Sequence, residues 1–192
     1  MKSKKIIKIA IPSIIILFLI FNASVFASVK TKPAPSVILV KKVISSIPVR
    51  IKIPAMNIDA VVESTGLTKQ GSMDVPKGHT NAGWYNLGTI PGDIGSAVIA
   101  GHVGRWLNGD ISVFNDLTKL KKGDVVYIQN KLGATISFKV TATKIYTDNQ
   151  NAPDVFTSSD GLAHLNLVTC TGAYDKATNS YSSRLVVFTD KV

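Results

Sequence analysis

From residue 47 onward, apolar and polar side chains alternate along the chain with a period of two. Val49, Ile51 and Ile53 interleave with Arg50 and Lys52. That repeat sends alternate side chains to opposite faces, so the segment predicts a strand with one buried face. Ile136, Phe138, Val140 and Ala142 interleave with Thr135, Ser137, Lys139 and Thr141 and predict a longer strand of the same kind. Val125-Val126-Tyr127-Ile128 and Leu185 to Phe188 are short runs of β-branched and aromatic residues, a composition that suits strands. Asn130-Lys131-Leu132-Gly133 separates two of the runs and predicts a hairpin. Pro76, Gly78, Gly83, Gly88, Pro91-Gly92, Gly95, Gly109 and Gly123 break the remainder into short pieces. Only Ile111 to Lys121 leaves room for a helix, with Asp110 as its N-cap. Many short strands and little helix predict a mostly β domain, a barrel or a sandwich.

The N-terminal part follows a different pattern. Lys2, Lys4, Lys5 and Lys8 precede a segment without charge from Ile9 to Val29. A basic start followed by an apolar run reads as an export signal. Val25-Phe26-Ala27 offers small residues for cleavage after Ala27. If retained, the run reaches the roughly 20 residues that span a bilayer, and its basic flank keeps the N-terminus inside. We therefore expect residues 1–27 to be a signal peptide or membrane anchor, with the anchor preferred. Residues 28–46 contain Lys30, Lys32, Pro33, Pro35, Lys41, Lys42 and Ser45-Ser46 and are expected to form a tether. Residues 47–192 then form an exported domain on the outer face of the cell membrane.

Composition narrows the function classes. With 192 residues, 45% hydrophobic and 18% charged, the chain suits one folded domain with an appended segment, not a disordered protein. The formal charge is +10. However, the arginines are only Arg50, Arg105 and Arg184 and form no stripe, so no nucleic-acid partner is expected. The terminal lysines and an anionic envelope account for the excess. A single cysteine, Cys170, excludes an internal disulfide and any Cys-rich metal site.

That cysteine ends the apolar run Leu165 to Thr169, before Thr171-Gly172 release the chain into a polar loop. A lone thiol in an exported chain is exposed to oxidation. On the residues alone, an inert core cysteine and a working nucleophile are evenly matched. A nucleophilic cysteine needs a neighbouring cation to favour thiolate, and a proton donor for the leaving amine. His102 follows the apolar run Ala97-Val98-Ile99-Ala100 and a glycine, so it also sits at a strand end. His79 lies in a turn-rich stretch and is expected to be solvated. His164 is too far along the same strand to partner Cys170. Arg184 opens the run Leu185 to Phe188, where a guanidinium can hold a developing oxyanion.

With these residues in view the chain resembles the sortases, cysteine transpeptidases of bacterial cell surfaces. Leu167-Val168-Thr169-Cys170 is similar to their Leu-x-Thr-Cys strand end, Ala100-Gly101-His102 to their histidine segment, and Arg184-Leu-Val-Val to their arginine strand. Ile51-x-Ile53-Pro54, Gly71-Ser72-Met73-Asp74-Val75-Pro76, Gly83-Trp84-Tyr85, Pro91-Gly92-x-x-Gly95, Phe114-x-x-Leu117, Gly123-Asp124 and Tyr174-Asp175 add to the likeness, which is greatest for class F, with class E as neighbour. It covers about Ile47 to Asp190. Asn166 and Thr171 depart from the family's frequent threonine and glycine.

The resemblance implies a closed β-barrel of about eight strands with short helices in its loops. It implies His102, Cys170 and Arg184 as catalytic residues and Thr169 as a substrate contact. No metal or organic cofactor is implied. The partners would be exported proteins bearing a C-terminal motif similar to Leu-Pro-x-Thr-Gly, and an amine acceptor such as a peptidoglycan precursor or another surface protein. The loop from about Thr147 to Gly161 would line the groove. Two rivals stand beside this reading. One is an L,D-transpeptidase, which expects Ser-His-Gly where Leu167-Val168-Thr169 stand. The other is a non-catalytic envelope-binding module with a buried, inert Cys170.

Overall fold

The computed structural model describes residues 46–192 apart from Leu107. The expected export segment and nearly all of the expected tether lie outside the described residues. The chain forms strands β1 (Pro48–Ile53), β2 (Ile58–Thr65), β3 (Ala82–Tyr85), β4 (Gly95–Gly101), β5 (Val125–Asn130), β6 (Thr135–Thr147), β7 (Ala163–Asp175) and β8 (Ser180–Lys191). They close into a barrel in the order β1-β2-β3-β4-β7-β8-β6-β5. A one-turn helix, α1 (Pro153–Phe156), and 3-10 turns at Pro54–Met56 and Leu117–Lys119 sit in the connections. The mostly β barrel expected from the sequence is the fold observed.

The period-two pattern sets the inside of the barrel. Ile51, Ile53, Phe138 and Val140 point inward with Ile99, Leu165 and Leu167 and are fully or almost fully buried. Each such side chain contributes about 1.5–3 kcal/mol relative to its exposed form. In β6 the pattern shifts part-way. Val140 pairs with Thr189 and Ala142 with Phe188, so Thr141 is an extra residue in the ladder. A bulge of this kind moves every later side chain to the other face. Ala142, expected to face inward, is therefore exposed, and Tyr146 is buried outside the barrel with Val98, Val155 and Val186.

Two expectations change. Residues 111–121 form no α-helix, only the 3-10 turn at Leu117–Lys119. The Ser112, Val113 and Phe114 amides donate to Gly104, His79 and His102 carbonyls, and these bonds hold the segment against the end of β4 while Phe114 fills the barrel. Asp110 caps nothing; it accepts from His79 and Asn108. Nor does Thr171-Gly172 end its strand. β7 and β8 run on as a ribbon, with a register shift between Thr171 and Tyr174 that Gly172 accommodates at φ +84°.

At the opposite end of β7, His164 ties the preceding loop to β8. Its Nδ1 meets Asp190 at 2.8 Å and its Nε2 meets Asp160 at 3.0 Å. Carboxylates on both nitrogens call for the doubly protonated ring. Burial pushes the His164 pKa down, but Asp160 and Asp190 outweigh it and the net shift is upward. His164 in turn holds Asp160 at about 2. A raised imidazole pKa stabilises the fold below the ordinary value of 6.5 and loses that contribution as pH rises through the folded value. Melting curves should show wild type most stable relative to His164→Gln between about pH 4 and 6, with the gap closing at higher pH. A gap independent of pH would show that the charge is not involved.

Candidate active site

The site grows from the outward face of β7. Leu165, Leu167 and Thr169 face the barrel, so Asn166, Val168 and Cys170 face away from it. Val168 and Val186 floor a groove of about 570 Å³, and Val155 and Phe156 of α1 wall it. Met73 and Tyr85 also line it, Tyr85 meeting Phe156 edge-on at 5.8 Å. A helix as short as α1 has no stability of its own. It is held from outside: the Tyr146 hydroxyl donates to Asp154 at 2.6 Å, Lys144 pairs with Asp154 at 3.1 Å, and the Asn166 amide donates to the Val155 carbonyl at 2.7 Å.

Cys170 and Arg184 are direct cross-strand partners on β7 and β8, and both line the groove. Arg184 Nη1 donates to the carbonyls of Tyr181 at 2.8 Å and Ser183 at 3.1 Å. Its Nη2 pairs with Asp148, just past β6, at 2.8 Å. The cysteine is half-buried and unpaired in any disulfide. Burial pushes its thiol pKa up, Arg184 pulls it down, and Asp148 pushes it up; the net shift is upward. The balance of these influences disfavours thiolate in the free enzyme.

His102 stands just beyond β4, which runs parallel to β7 with Ala100 opposite Val168. Continuing that register sets His102 beside Cys170, and the Thr169 hydroxyl fixes it by donating to the Gly101 carbonyl at 2.8 Å. Gly101 has to be glycine: a Cβ there would come within 2.5 Å of the Phe114 ring. The groove reaches Ala100 and Gly101, while the His102 ring turns to Pro76 and Trp106. His102 Nε2 lies 2.8 Å from the Pro76 carbonyl and the ring meets Trp106 edge-on at 5.7 Å. A carbonyl only accepts, so Nε2 carries the hydrogen, and Nδ1 is left to exchange a proton. The turn carrying Pro76 is anchored by Glu63, whose carboxylate accepts from Asn81 at 2.6 Å and from the Lys77 and Gly78 amides at 2.9 and 3.2 Å.

The family profile described as Sortase domain matches residues 51–192. The chain belongs to the sortase family. Among solved structures, sortase C1 of Streptococcus agalactiae, in complex with MTSET, is 25% identical with a TM-score of 0.58. The match covers 75% of this chain and 66% of that one, so the chain spans just under two thirds of that relative's length. The pilus-related sortase C of Group B Streptococcus is 27% identical with a TM-score of 0.56, over 77% and 68% of the two chains. Sortase C-1 of Actinomyces oris shares the fold with a TM-score of 0.60 at 24% identity, over 85% of each chain. No curated protein sequence matches.

In this sortase, Cys170 and Arg184 meet across one strand pair and His102 closes the neighbouring strand. Thr169 borders the groove, but its hydroxyl is committed to the Gly101 carbonyl. The expected groove loop contributes Thr147, Asp148, Gln150, Ala152, Val155 and Phe156. His79 is not solvated as expected: it pairs with Asp110 at 2.9 Å and stacks on Trp106 at 4.6 Å. His164 is remote, as its strand position requires. Asp148, Glu63 and Trp106 escaped sequence reasoning. Asp148 lies just past a strand, Trp106 in a loop and Glu63 within β2, and they reach the site only through pairings between distant segments. Among the described residues, no His, Cys, Asp or Glu cluster is placed to hold a metal ion, and no helix is long and apolar enough to cross a membrane.

Proposed function

We propose that this sortase is a cysteine transpeptidase acting on exported proteins with a C-terminal motif similar to Leu-Pro-x-Thr-Gly, cleaved between Thr and Gly. The observation that carries the reading is the Cys170–Arg184 pair lining a groove with an apolar floor and wall. The groove's apolar floor and wall suit the Leu-Pro part of the motif, which brings the threonine carbonyl toward the sulfur.

The reacting form carries its proton on His102 in place of Cys170, and in the first step the Cys170 thiolate attacks that carbonyl and a C–S bond forms. Arg184 and backbone amides stabilise the tetrahedral oxyanion. As the C–N bond breaks, protonated His102 gives its proton to the departing glycine amine and leaves a thioacyl enzyme. In the second step an amine of the cell envelope attacks the thioester, passes a proton back to His102 and releases the Cys170 thiolate; water in its place gives hydrolysis. Residues 1–27 as a membrane anchor and 28–46 as a tether would hold domain 47–192 at the outer membrane face. The motif series favours class F. An inert core thiol is disfavoured because Cys170 opens onto the groove, and an L,D-transpeptidase because Val168 and Thr169 stand where that family needs His-Gly.

Incubation with a sorting-motif peptide library should give a covalent acyl adduct in the intact mass of the protein. His102→Ala should form it about 100-fold more slowly and lose the limb of the pH–rate profile that reports the imidazole. No adduct across a broad library would count against the function, and an unchanged His102→Ala rate against the role of His102.

A further inference from the structure

Asp148 follows the last residue of β6, where Tyr146 pairs with Arg184 and Thr147 with Ser183. Its amide donates to the Ser182 carbonyl at 3.0 Å, so the β6–β8 ladder sets where its carboxylate stands. Asp148 Oδ1 accepts from Arg184 Nη2 at 2.8 Å, and Arg184 Nη1 is taken up by the Tyr181 and Ser183 carbonyls. The guanidinium is thus gripped at both ends. Asp148, Arg184 and Cys170 all line one groove.

A guanidinium beside a sulfur favours thiolate, and one already paired with a carboxylate favours it less. The other titratable groups of this groove and its rim are Asp74 and Tyr85, which line it, His102 past β4, and Tyr146, whose hydroxyl is bound to Asp154. None of them is ion-paired to Arg184. We propose that Asp148 is a positioning residue for Arg184 and, as its counter-charge, restrains thiolate formation at Cys170 in the free enzyme. This deepens the reading of Cys170 and Arg184 as the working pair and rests on it. The direction agrees with the separate influences on the thiol, which Arg184 lowers and Asp148 raises. An exported thiol held this way is guarded from oxidation, which acts on thiolate.

The test is the pH dependence of Cys170 alkylation by iodoacetamide on the full chain. Asp148→Asn should move the midpoint to lower pH and speed alkylation at neutral pH about three- to tenfold. Asp148→Glu, which restores the charge, should return the profile toward wild type. A purely structural role for Asp148 would not produce that pattern. With its side chain 56% exposed, Asp148 tolerates replacement by Asn, and Asp148→Ser repeats the measurement with a shorter group. A midpoint at or above the wild-type value in either variant, or loss of the fold in both, would overturn the proposal. Alkylation requires no sorting-motif peptide, so this test and the adduct test fail independently.

Discussion

Cys170→Ala should abolish turnover of a sorting-motif peptide, a fall of at least about 10⁴-fold. No other described group can replace the sulfur. Arg184 is permanently charged, the Thr169 hydroxyl is buried and bound to Gly101, and His102 faces Pro76 and Trp106. The same variant should stay folded. Cys170 is half-buried on the outside of the barrel and is not part of the interior cluster, so its loss costs about 1 kcal/mol or less. Peptide turnover and thermal melting on one preparation check both parts. Residual turnover within about tenfold of wild type would remove the nucleophile assignment, and collapse of the fold would make Cys170 a structural residue.

Arg184→Ala should lower kcat/KM by about 10²–10³-fold. Three losses coincide. The oxyanion loses a charged donor, the sulfur loses its cation, and Asp148 is left facing the sulfur with no counter-charge. The last two raise the pH at which the thiol ionises. Alkylation of Cys170 in this variant should therefore be slower than wild type at neutral pH, with a midpoint shifted upward. Arg184→Lys should recover part of the alkylation rate but less of the turnover, because an ammonium cannot bond the Tyr181 and Ser183 carbonyls and Asp148 together in the guanidinium's fixed fork. Equal recovery of both would mean that charge alone is required. Turnover near wild type in Arg184→Ala would pass the oxyanion to backbone amides.

The barrel was legible in the sequence wherever a strand keeps its phase. Ile51 and Ile53 face inward as their alternation requires. β6 was legible only as far as Val140, because the bulge at Thr141 arises from pairing with β8 and leaves no local mark. The absent helix at 111–121 has a similar origin: its amides bond to Gly104, His79 and His102, partners fixed only once the barrel closes. For the site, Cys170, His102 and Arg184 each carried a signal, a polar group at one end of an apolar run. Asp148 carried none. Its significance comes from standing beside a residue that lies far along the chain yet next to it in the sheet.

The parallel pairing of β4 with β7 bears on how the molecule comes into being. Two strands so joined cannot meet through a tight turn, and everything from β5 to α1 must first be threaded across the intervening gap. Such long-range closure is slow. The sulfur emerges late in synthesis and its covering strand, β8, later still. Cys170 therefore gains Arg184 and Asp148 as neighbours only once β8, the last strand made, has paired with β7 and β6.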